Sequence, residues 1–387
     1  MKALYITYDG LTDPLGQSQI LPYLKGLSSN SLQWTLLSFE KKDLQDPLIK
    51  KMDSTLSLHN IQWIKVPYDQ KGSLLKLYHL LWAFGCMVWR NETYDIIHVR
   101  SYPAALLGLL LKKIYRSKFI FDMRGFWPEE RIESGAWKQN STRYKFFKFC
   151  EKHFMKNADA VVVLTEKAKK VLQEDPQYPK VKKSVVIPTC VDTSHFSLQA
   201  SQKIPFSLYY AGSLGTWYCL EEMLSFFQCL KTYYSQATFT LLINWTSLPK
   251  WNPYLQSKLN SISGLKIHSC SYDELPSHLK TAQLGIFFIK PLPSKKASCP
   301  TKLGEFLAMG IPLIVNKGIG DCDEWIQKER LGILVDDFTP TSYQKTVKQL
   351  PSLLIDSESR TRCVQFAQKH LSLQEGIAEY KKILTFY

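Results

Sequence analysis

The sequence predicts an α/β protein with two domains, each built on a doubly wound parallel sheet. Short runs rich in Ile, Val, Phe and Tyr alternate with helical patterns, which is typical of parallel strands joined by helical crossovers. The length of 387 residues exceeds what one hydrophobic core usually serves, so two domains with room for a cleft between them are expected. Hydrophobic residues at 45% and charged residues at 21% indicate a globular chain and exclude wholesale disorder.

The first series of alternating elements fills the N-terminal half. Strands are predicted at ALYITY, WTLLSF, IQWIKVP, DIIHVRS and KFIFDMRG. Helices are predicted near residues 17–28, 73–91 and 103–114. Because strands and helices alternate, we expect parallel strands covered by helices on both faces.

A second series begins at FSLYYAGS and continues through TFTLLIN, LKIHS, LGIFFIK and IPLIVN as strands. Helices are predicted near residues 219–234 and 252–262, at YDELPSHLKTA, and from near Pro300. This series predicts a second doubly wound domain.

The domain boundary is expected in the stretch of residues 186–206, where a strand ends at a proline and no periodicity follows. We predict an N-terminal domain over residues 1–196 and a C-terminal domain over residues 197–364. A last helix over residues 365–387 is expected to pack back on the first domain.

Composition limits the partners and the compartment. Lys and Arg outnumber Asp and Glu by 49 to 34, and the net charge of +15 predicts a surface that attracts polyanions, anionic lipid or phosphorylated substrates. No nucleic-acid-binding module is recognisable, so nucleic acid is not an expected partner.

The nine cysteines include no C-x-x-C pair, which predicts reduced thiols without a zinc site. Without an apolar run long enough for a secretory signal or a spanning helix, a cytoplasmic protein is expected.

Loops that follow strands are the expected ligand sites, because ligands of open parallel sheets collect at the carboxyl ends of the strands. The loop of residues 8–19 places Gly16 before a predicted helix, which lets the backbone approach a ligand or present amides to an anion. The loop YYAGSLGTWY repeats this arrangement with Gly212, Ser213, Gly215 and Thr216. An ordinary strand-to-helix turn is the alternative for each loop.

The helix that begins near Pro300 carries two charged residues beside its apolar face. Lys302 and Glu305 are three residues apart and share a side of the helix, and Thr301 offers a hydroxyl near the free amides. Lysines from Lys290 onward lead into this N-terminus, a phosphate-seeking arrangement with one carboxylate behind it to accept hydroxyl hydrogen bonds. An exposed ion pair, worth little free energy, is the alternative.

The order of these parts resembles the GT-B glycosyltransferases, specifically the family-4-like retaining enzymes. The resemblance covers nearly the whole chain, through DIIHVRS, NADAVVVLTEKAKKVL, VIPTCVDTSHF, YAGSLG and PTKLGEFLAMGIPLIVNKGIGD in the family's order. It implies two Rossmann-like domains facing across a cleft. It also implies sugar transfer from a nucleotide-diphosphate donor, held by the second domain, to a saccharide or lipid-linked acceptor bound mainly by the first.

The resemblance also implies roles for individual residues, without a metal or other cofactor. Glu305 matches the family glutamate that binds the nucleotide ribose, and Lys302 would face the diphosphate. The donor-binding set is Gly16, Gly212, Ser213, Gly215, Thr216, Lys290, Ser298, Pro300, Thr301, Lys302 and Glu305. The catalytic set is Arg124, Asp122 and Lys302, and the acceptor-side set is His98, Arg100, Trp127 and Glu129.

Three departures from the family pattern keep other functions open. Ala297 stands where the family has its first motif glutamate, Arg124 stands where it has a histidine, and the Arg and Lys that usually follow the glycine of YAGSLG are absent. The alternatives are a non-catalytic protein that binds nucleotide sugars as a scaffold and a nucleotide-sugar epimerase. The D-x-D of GDCDEW, a metal motif of a different glycosyltransferase fold, is interpreted as a polar loop.

A basic segment points to a membrane surface. Residues 131–156 contain seven Lys or Arg and two Glu, interleaved with Trp, Tyr and Phe. This composition predicts an amphipathic helix against anionic lipid, and a core helix with a solvated face is an equal alternative. The resemblance implies lipid-linked or cell-surface acceptors, so we expect a role in surface polysaccharide or glycolipid synthesis, with peripheral attachment to the cytoplasmic face of the membrane.

Overall fold

A computed structural model describes residues 1–41, 43–68, 73–243, 259 and 261–385. The chain divides into two compact units. Unit 1 comprises Met1–Pro188 and Leu373–Tyr387, and unit 2 comprises Thr189–Ser372.

Unit 1 contains a seven-stranded parallel sheet in the order β3-β2-β1-β4-β5-β6-β7. Its strands are β1 (Lys2–Thr7), β2 (Gln33–Glu40), β3 (Ile61–Pro67), β4 (Ile96–Arg100), β5 (Lys118–Asp122), β6 (Ala160–Val163) and β7 (Ser184–Val186). Its first eight helices are α1 (Pro14–Gln19), α2 (Leu21–Leu27), α3 (Pro47–Leu58), α4 (Ser73–Trp89), α5 (Ser101–Tyr115), α6 (Trp127–Glu133), α7 (Thr142–Asn157) and α8 (Glu166–Glu174). Every residue of β4 and β6 is buried, as expected for strands covered on both faces.

Unit 2 contains a six-stranded parallel sheet in the order β10-β9-β8-β11-β12-β13. Its strands are β8 (Ser207–Ala211), β9 (Thr238–Leu242), β10 (Leu265–His268), β11 (Leu284–Phe287), β12 (Leu313–Asn316) and β13 (Gly332–Val335). Its helices are α9 (Leu220–Tyr233), α10 (Leu275–Leu279), the 3-10 helix Pro293–Ala297, α11 (Thr301–Ala308), α12 (Cys322–Lys328), α13 (Pro340–Ile355) and α14 (Ser359–His370). Two parallel α/β sheets confirm the predicted fold class.

The last helix, α15 (Leu373–Thr385), belongs to unit 1 and packs against α2. The two helices approach closely at Gly26, where an added Cβ would lie 2.1 Å from the Cδ1 atom of Ile377.

The observed unit boundaries lie eight residues from the predicted ones at both places, after Pro188 rather than 196 and after Ser372 rather than 364. The segment that follows Pro188 joins unit 2 because the Val191 amide donates to the Leu371 carbonyl at 2.7 Å.

Two sequence-based predictions were wrong in detail. The helix predicted over residues 17–28 is two helices, α1 and α2, because Pro22 in the first turn of α2 has no N–H for a continuous helical ladder. GDCDEW is the start of α12 rather than a polar loop, and the Asp323 carboxylate accepts from the Gly318 amide at 3.1 Å.

The helix predicted near residues 252–262 falls mostly outside the described residues. No helix in the described ranges has the length and apolar character that spanning a bilayer requires.

Candidate active site

A buried ionic cluster lies at the carboxyl ends of three neighbouring strands in unit 1. Thr7, Arg100 and Asp122 end β1, β4 and β5 and are paired in register. The Asp122 carboxylate is fully buried, and its Oδ2 atom accepts a hydrogen bond of 2.9 Å from the hydroxyl of Tyr380 on α15. The nearest guanidinium nitrogens of Arg100 and Arg124 each lie 3.8 Å from the same oxygen. One carboxylate is therefore shared by two arginines and a tyrosine.

The charges of this cluster are fixed by their neighbours. Burial disfavours the ionised form of Asp122, but the positive charges of Arg124 and Arg100 outweigh it and hold the pKa of this carboxyl below its usual value. His98 lies with its Nε2 atom 3.9 Å from Asp122 Oδ2, and burial lowers its pKa, so the imidazole is neutral at pH 7. The Asp122 Oδ1 atom is buried without a hydrogen-bond partner in the described part of the chain. The cluster thus combines an ionised carboxylate with two cations.

The backbone that carries Arg124 is conformationally unusual. Arg124 has φ of 59° and Gly125 has φ of 150°, and a left-handed conformation is uncommon for a residue with a side chain. The Tyr102 hydroxyl lies 3.2 Å from the Gly125 carbonyl and 2.6 Å from Glu151 Oε1, beneath this turn. Buried groups below the loop therefore fix the turn that presents Arg124.

The other two predicted acceptor residues begin α6 and have partners within unit 1. The Trp127 ring stacks on the Tyr102 ring with centroids 5.6 Å apart. Glu129 pairs with Lys148 on α7 at 2.8 Å. Both side chains are half-buried, so they form a wall beside the Arg124 turn rather than a freely exposed surface.

The glycine loop of unit 1 is shaped by a buried glutamate. Glu40, at the end of β2, accepts from the Leu11 amide at 2.7 Å and from the Thr12 hydroxyl at 2.9 Å. Gly16 is buried against this loop, since an added Cβ would lie 2.2 Å from the Gly10 carbonyl oxygen. The structure therefore gives Gly16 a packing reason to be glycine, and it places this residue in unit 1, whereas the other predicted donor-binding residues lie in unit 2.

Unit 2 holds a buried lysine in an aromatic cage. Lys302, in the first turn of α11, is 4% exposed. Its ammonium lies 3.9 Å from the ring centroid of Tyr218 and 5.0 Å from that of Tyr210. A Cβ added at Gly212 would lie 2.6 Å from the same nitrogen, so glycine at this position leaves room for the ammonium. Aromatic faces attract a cation but do not neutralise it.

Glu305 follows Lys302 on the same helix and is 8% exposed. Burial raises the pKa of its carboxyl from 4.5 to about 7, while the positive charge of Lys302 opposes the rise. No hydrogen bond or ion pair to another described residue engages this carboxylate. The exposed ion pair that the spacing also allowed is therefore excluded, because both side chains are buried and they do not form a pair.

The two loops that border this helix are tied together. The Lys290 amide donates to the Trp217 carbonyl at 3.0 Å, and the Cys219 amide donates to the Phe288 carbonyl at 2.9 Å. Lys295, in the 3-10 helix, is buried with its ammonium 3.6 Å from the Trp217 ring centroid. A second buried lysine thus stands on an aromatic face in the same loops of unit 2.

The other predicted donor residues line these loops at different depths. Pro300 is the buried N-cap of α11, Ser298 and Thr301 are half-buried, and the Lys290 side chain is exposed. Gly212, Ser213 and Thr216 are exposed, and Gly215 is half-buried. Ala297 is buried at the end of the 3-10 helix.

Comparison with known proteins relates part of the chain to a family and the whole chain to a fold. Residues 53–195 match the sequence profile described as Glycosyltransferase Family 4. The two sheets have the GT-B fold of the solved structures that the chain resembles. A search of curated proteins finds no match.

Solved structures share the fold of this chain at low sequence identity. Sucrose-phosphate synthase from Thermosynechococcus elongatus superposes with a TM-score of 0.76 at 13% identity, over 100% of this chain and 98% of that chain. Anabaena Alr3699/HepE in complex with UDP and glucose gives a TM-score of 0.70 at 12% identity, over 100% and 99% of the two chains. A glycosyltransferase from Rickettsia africae gives 0.69 at 15% identity, over 99% and 97%.

Sequence reasoning missed several residues of both candidate sites. The structure brings together Lys302 and Gly212, which were predicted, with Tyr210 and Tyr218, which were not. The only sequence signal for this cage is a tyrosine on each side of the glycine loop, and tyrosine is common in buried strands. Tyr380 was also missed, because its contact with Asp122 joins residues 258 positions apart.

Proposed function

We propose that this glycosyltransferase moves a sugar from a nucleotide-diphosphate donor bound by unit 2 to a saccharide or lipid-linked acceptor bound by unit 1. The observation that carries the proposal is the caged, buried Lys302 at the start of α11. A buried cation without an ion-pair partner is costly, and a ligand anion removes that cost. The helix N-terminus adds free amides and a favourable dipole for a diphosphate.

Glu305 complements this anion site. A buried carboxylate without a hydrogen-bond partner is suited to accept hydrogen bonds from two hydroxyls of a ribose. In this proposal Lys302 binds the diphosphate, and the Glu305 carboxylate one turn away binds the ribose. Together these two groups match a nucleoside diphosphate. The UDP in the Anabaena structure makes a uridine nucleotide the first donor to test.

The proposed reaction needs no metal ion. The bond between the sugar C1 atom and the diphosphate oxygen breaks, and a bond from C1 to the acceptor oxygen forms on the same face of the sugar. The acceptor proton passes to the leaving phosphate, and a nucleoside diphosphate is released. Lys302 stabilises the charge that develops on the leaving group. In unit 1, Arg124 and Arg100 bind the acceptor, and Asp122 keeps both arginines in place.

The proposed setting is surface polysaccharide or glycolipid synthesis at the cytoplasmic face of a membrane. The net charge of +15 supports attraction to anionic lipid. Peripheral attachment would bring a lipid-linked acceptor to the enzyme without a spanning helix.

The decisive binding experiment is a calorimetric titration with UDP and UDP-glucose. We expect the wild type to bind and Lys302→Met to bind about 100-fold more weakly, because methionine keeps the bulk but removes the charge. Lys328→Met, at an exposed lysine of unit 2, is the matched control and should bind as the wild type does. Unchanged affinity in Lys302→Met would remove Lys302 from the donor site.

A turnover assay separates transfer from the two alternatives. Release of a nucleoside diphosphate that depends on added acceptor supports transfer. Tight donor binding without release under any acceptor indicates a binding protein, and conversion of the donor sugar without release indicates an epimerase. If no nucleotide or nucleotide sugar binds, the proposed donor site is wrong.

A further inference from the structure

The helices α4, α5 and α7 form a layer of unit 1 in which α5 contacts both α4 and α7. From Leu77 to Trp89 the solvent-facing side of α4 is an apolar helical stripe. Its exposed side chains are Leu77, Tyr78, Leu81, Trp82, Val88 and Trp89. Trp89 is 88% exposed and Leu81 is 59% exposed. A side chain added at Gly85, on the same stripe, would meet no atom within 4 Å.

The neighbouring helices extend this surface. On α5, Leu110 and Ile114 are about half exposed and lie one turn apart. On α7, Phe146 and Phe149 are exposed and also lie one turn apart. Exposed apolar side chains on three adjoining helices mark an interaction surface rather than scattered exposure. We call this surface the α4–α5–α7 face.

The charge of this face has one sign. The sequences of the three helices contain a single acidic residue, Glu151, and its side chain is fully buried. Exposed cations accompany the apolar residues, with Lys113 beside Ile114 on α5 and Lys145 and Lys152 on α7. A partner for this face must therefore accept apolar side chains and supply negative charge.

We propose that the α4–α5–α7 face rests on an anionic lipid bilayer. Tryptophan and tyrosine favour the headgroup region, leucine and phenylalanine favour the acyl boundary, and lysine is attracted to anionic headgroups. A second copy of this chain is a poorer occupant, since a symmetric contact would bring the exposed lysines of the two copies together. This proposal rests on the peripheral attachment in the proposed function and assigns that attachment to a specific surface. It places the main apolar contact with the membrane on α4, whereas the sequence indicated residues 131–156.

The test is vesicle flotation with the full chain. Two vesicle types are used, one of phosphatidylcholine alone and one of equal parts phosphatidylcholine and phosphatidylglycerol. We expect the wild type to float mainly with the anionic vesicles and to be released by added salt, because screening weakens the lysine contribution. Flotation measures binding rather than turnover, so its outcome does not depend on the proposed sugar transfer.

Two double variants separate the apolar and the charged contributions. Leu81→Ser with Trp89→Ser should weaken binding about tenfold or more, and Lys113→Gln with Lys152→Gln should weaken binding to anionic vesicles by about tenfold. The matched control is Leu58→Ser with Ile355→Ser, because these side chains are 84% and 82% exposed and lie outside the face. All substituted side chains are exposed, so melting temperatures should stay close to that of the wild type.

Three outcomes would overturn the proposal. The first is a wild type that does not float with anionic vesicles, and the second is flotation of the face variants equal to that of the control. The third is a size-exclusion result in which Leu81→Ser with Trp89→Ser converts a dimer to a monomer without changing flotation. That last result would assign the face to a second copy of the chain.

Discussion

The two sheets of this protein carry buried charges in equivalent places, but they balance them differently. At the strand ends of unit 1, Asp122 is shared by Arg100, Arg124 and the Tyr380 hydroxyl. Beside the strand ends of unit 2, Lys302 stands against two tyrosine rings without an ion-pair partner among the described residues. In the first arrangement each arginine has a carboxylate of the protein beside it, whereas the second leaves a charge for a ligand to neutralise.

The acidic groups of the two sites show the same difference. Arginine neighbours hold the pKa of Asp122 below its usual value despite complete burial, so this carboxylate is ionised throughout the neutral range. Among the described residues Glu305 has one lysine nearby and no hydrogen-bond donor, and burial raises its pKa to about 7. Removing one partner from an internal ion cluster destabilises the fold because it leaves buried charges uncompensated, whereas a carboxyl group buried without partners destabilises it until a ligand binds.

The largest expected effect comes from breaking the unit 1 cluster. Asp122→Ala leaves Arg100 and Arg124 without their shared carboxylate, and we expect the free energy of unfolding to fall by about 4 kcal/mol. Urea unfolding of the wild type and the variant measures this change. A variant as stable as the wild type would show that other groups balance both arginines.

Tyr380→Phe is the control for this experiment. It removes only the hydrogen bond to Asp122 and keeps the ring, so the expected loss is about 1 kcal/mol. A loss as large as that of Asp122→Ala would indicate that the packing of α15, rather than the charge cluster, dominates the stability of this region.

The second prediction concerns Glu305 and pH. Because its pKa is higher in the folded state than in the unfolded state, the folded protein holds more protons between about pH 4.5 and about pH 7. The free energy of unfolding contributed by this group therefore falls as the pH rises through that range. Glu305→Gln removes the titration, so the variant should be more stable than the wild type by about 2 kcal/mol near pH 8 and nearly equal near pH 5.

The measurement is urea unfolding of both proteins at the two pH values without nucleotide. Glu324→Gln, at an exposed glutamate of unit 2, is the matched control and should show no such pH dependence. An equal difference at both pH values would mean that the ionisation of Glu305 is not linked to folding.

The sequence predicted the sheets well because strand periodicity and burial are local properties of each segment. It also predicted that Lys302 and Glu305 share a side of one helix, since spacing alone determines that. It did not predict that Tyr380 reaches Asp122, because that contact depends on how α15 returns to unit 1. Pro22 is a local signal in the sequence for the break between α1 and α2. The tyrosine cage has no such local signal, because it depends on how β8 and the loop that follows it pack against α11.

The smallest effect tests whether the cage itself, rather than the lysine alone, organises the donor site. Gly212 has φ of 114°, and an added Cβ would lie 2.6 Å from the Lys302 ammonium. Gly212→Ala should therefore move the lysine off the Tyr218 ring and weaken UDP binding by about tenfold, with a strain cost of about 1 kcal/mol in stability.

Gly135→Ala separates backbone strain from loss of the cage. Gly135 has φ of 74° and no atom within 4 Å of an added Cβ, so its substitution brings similar strain without touching Lys302, and UDP affinity should not change. Combining Gly212→Ala with Lys302→Met completes the cycle. If the glycine acts through the lysine, the double variant should bind UDP no more weakly than Lys302→Met alone. Additive losses would instead indicate that the Gly212 backbone contacts the nucleotide directly.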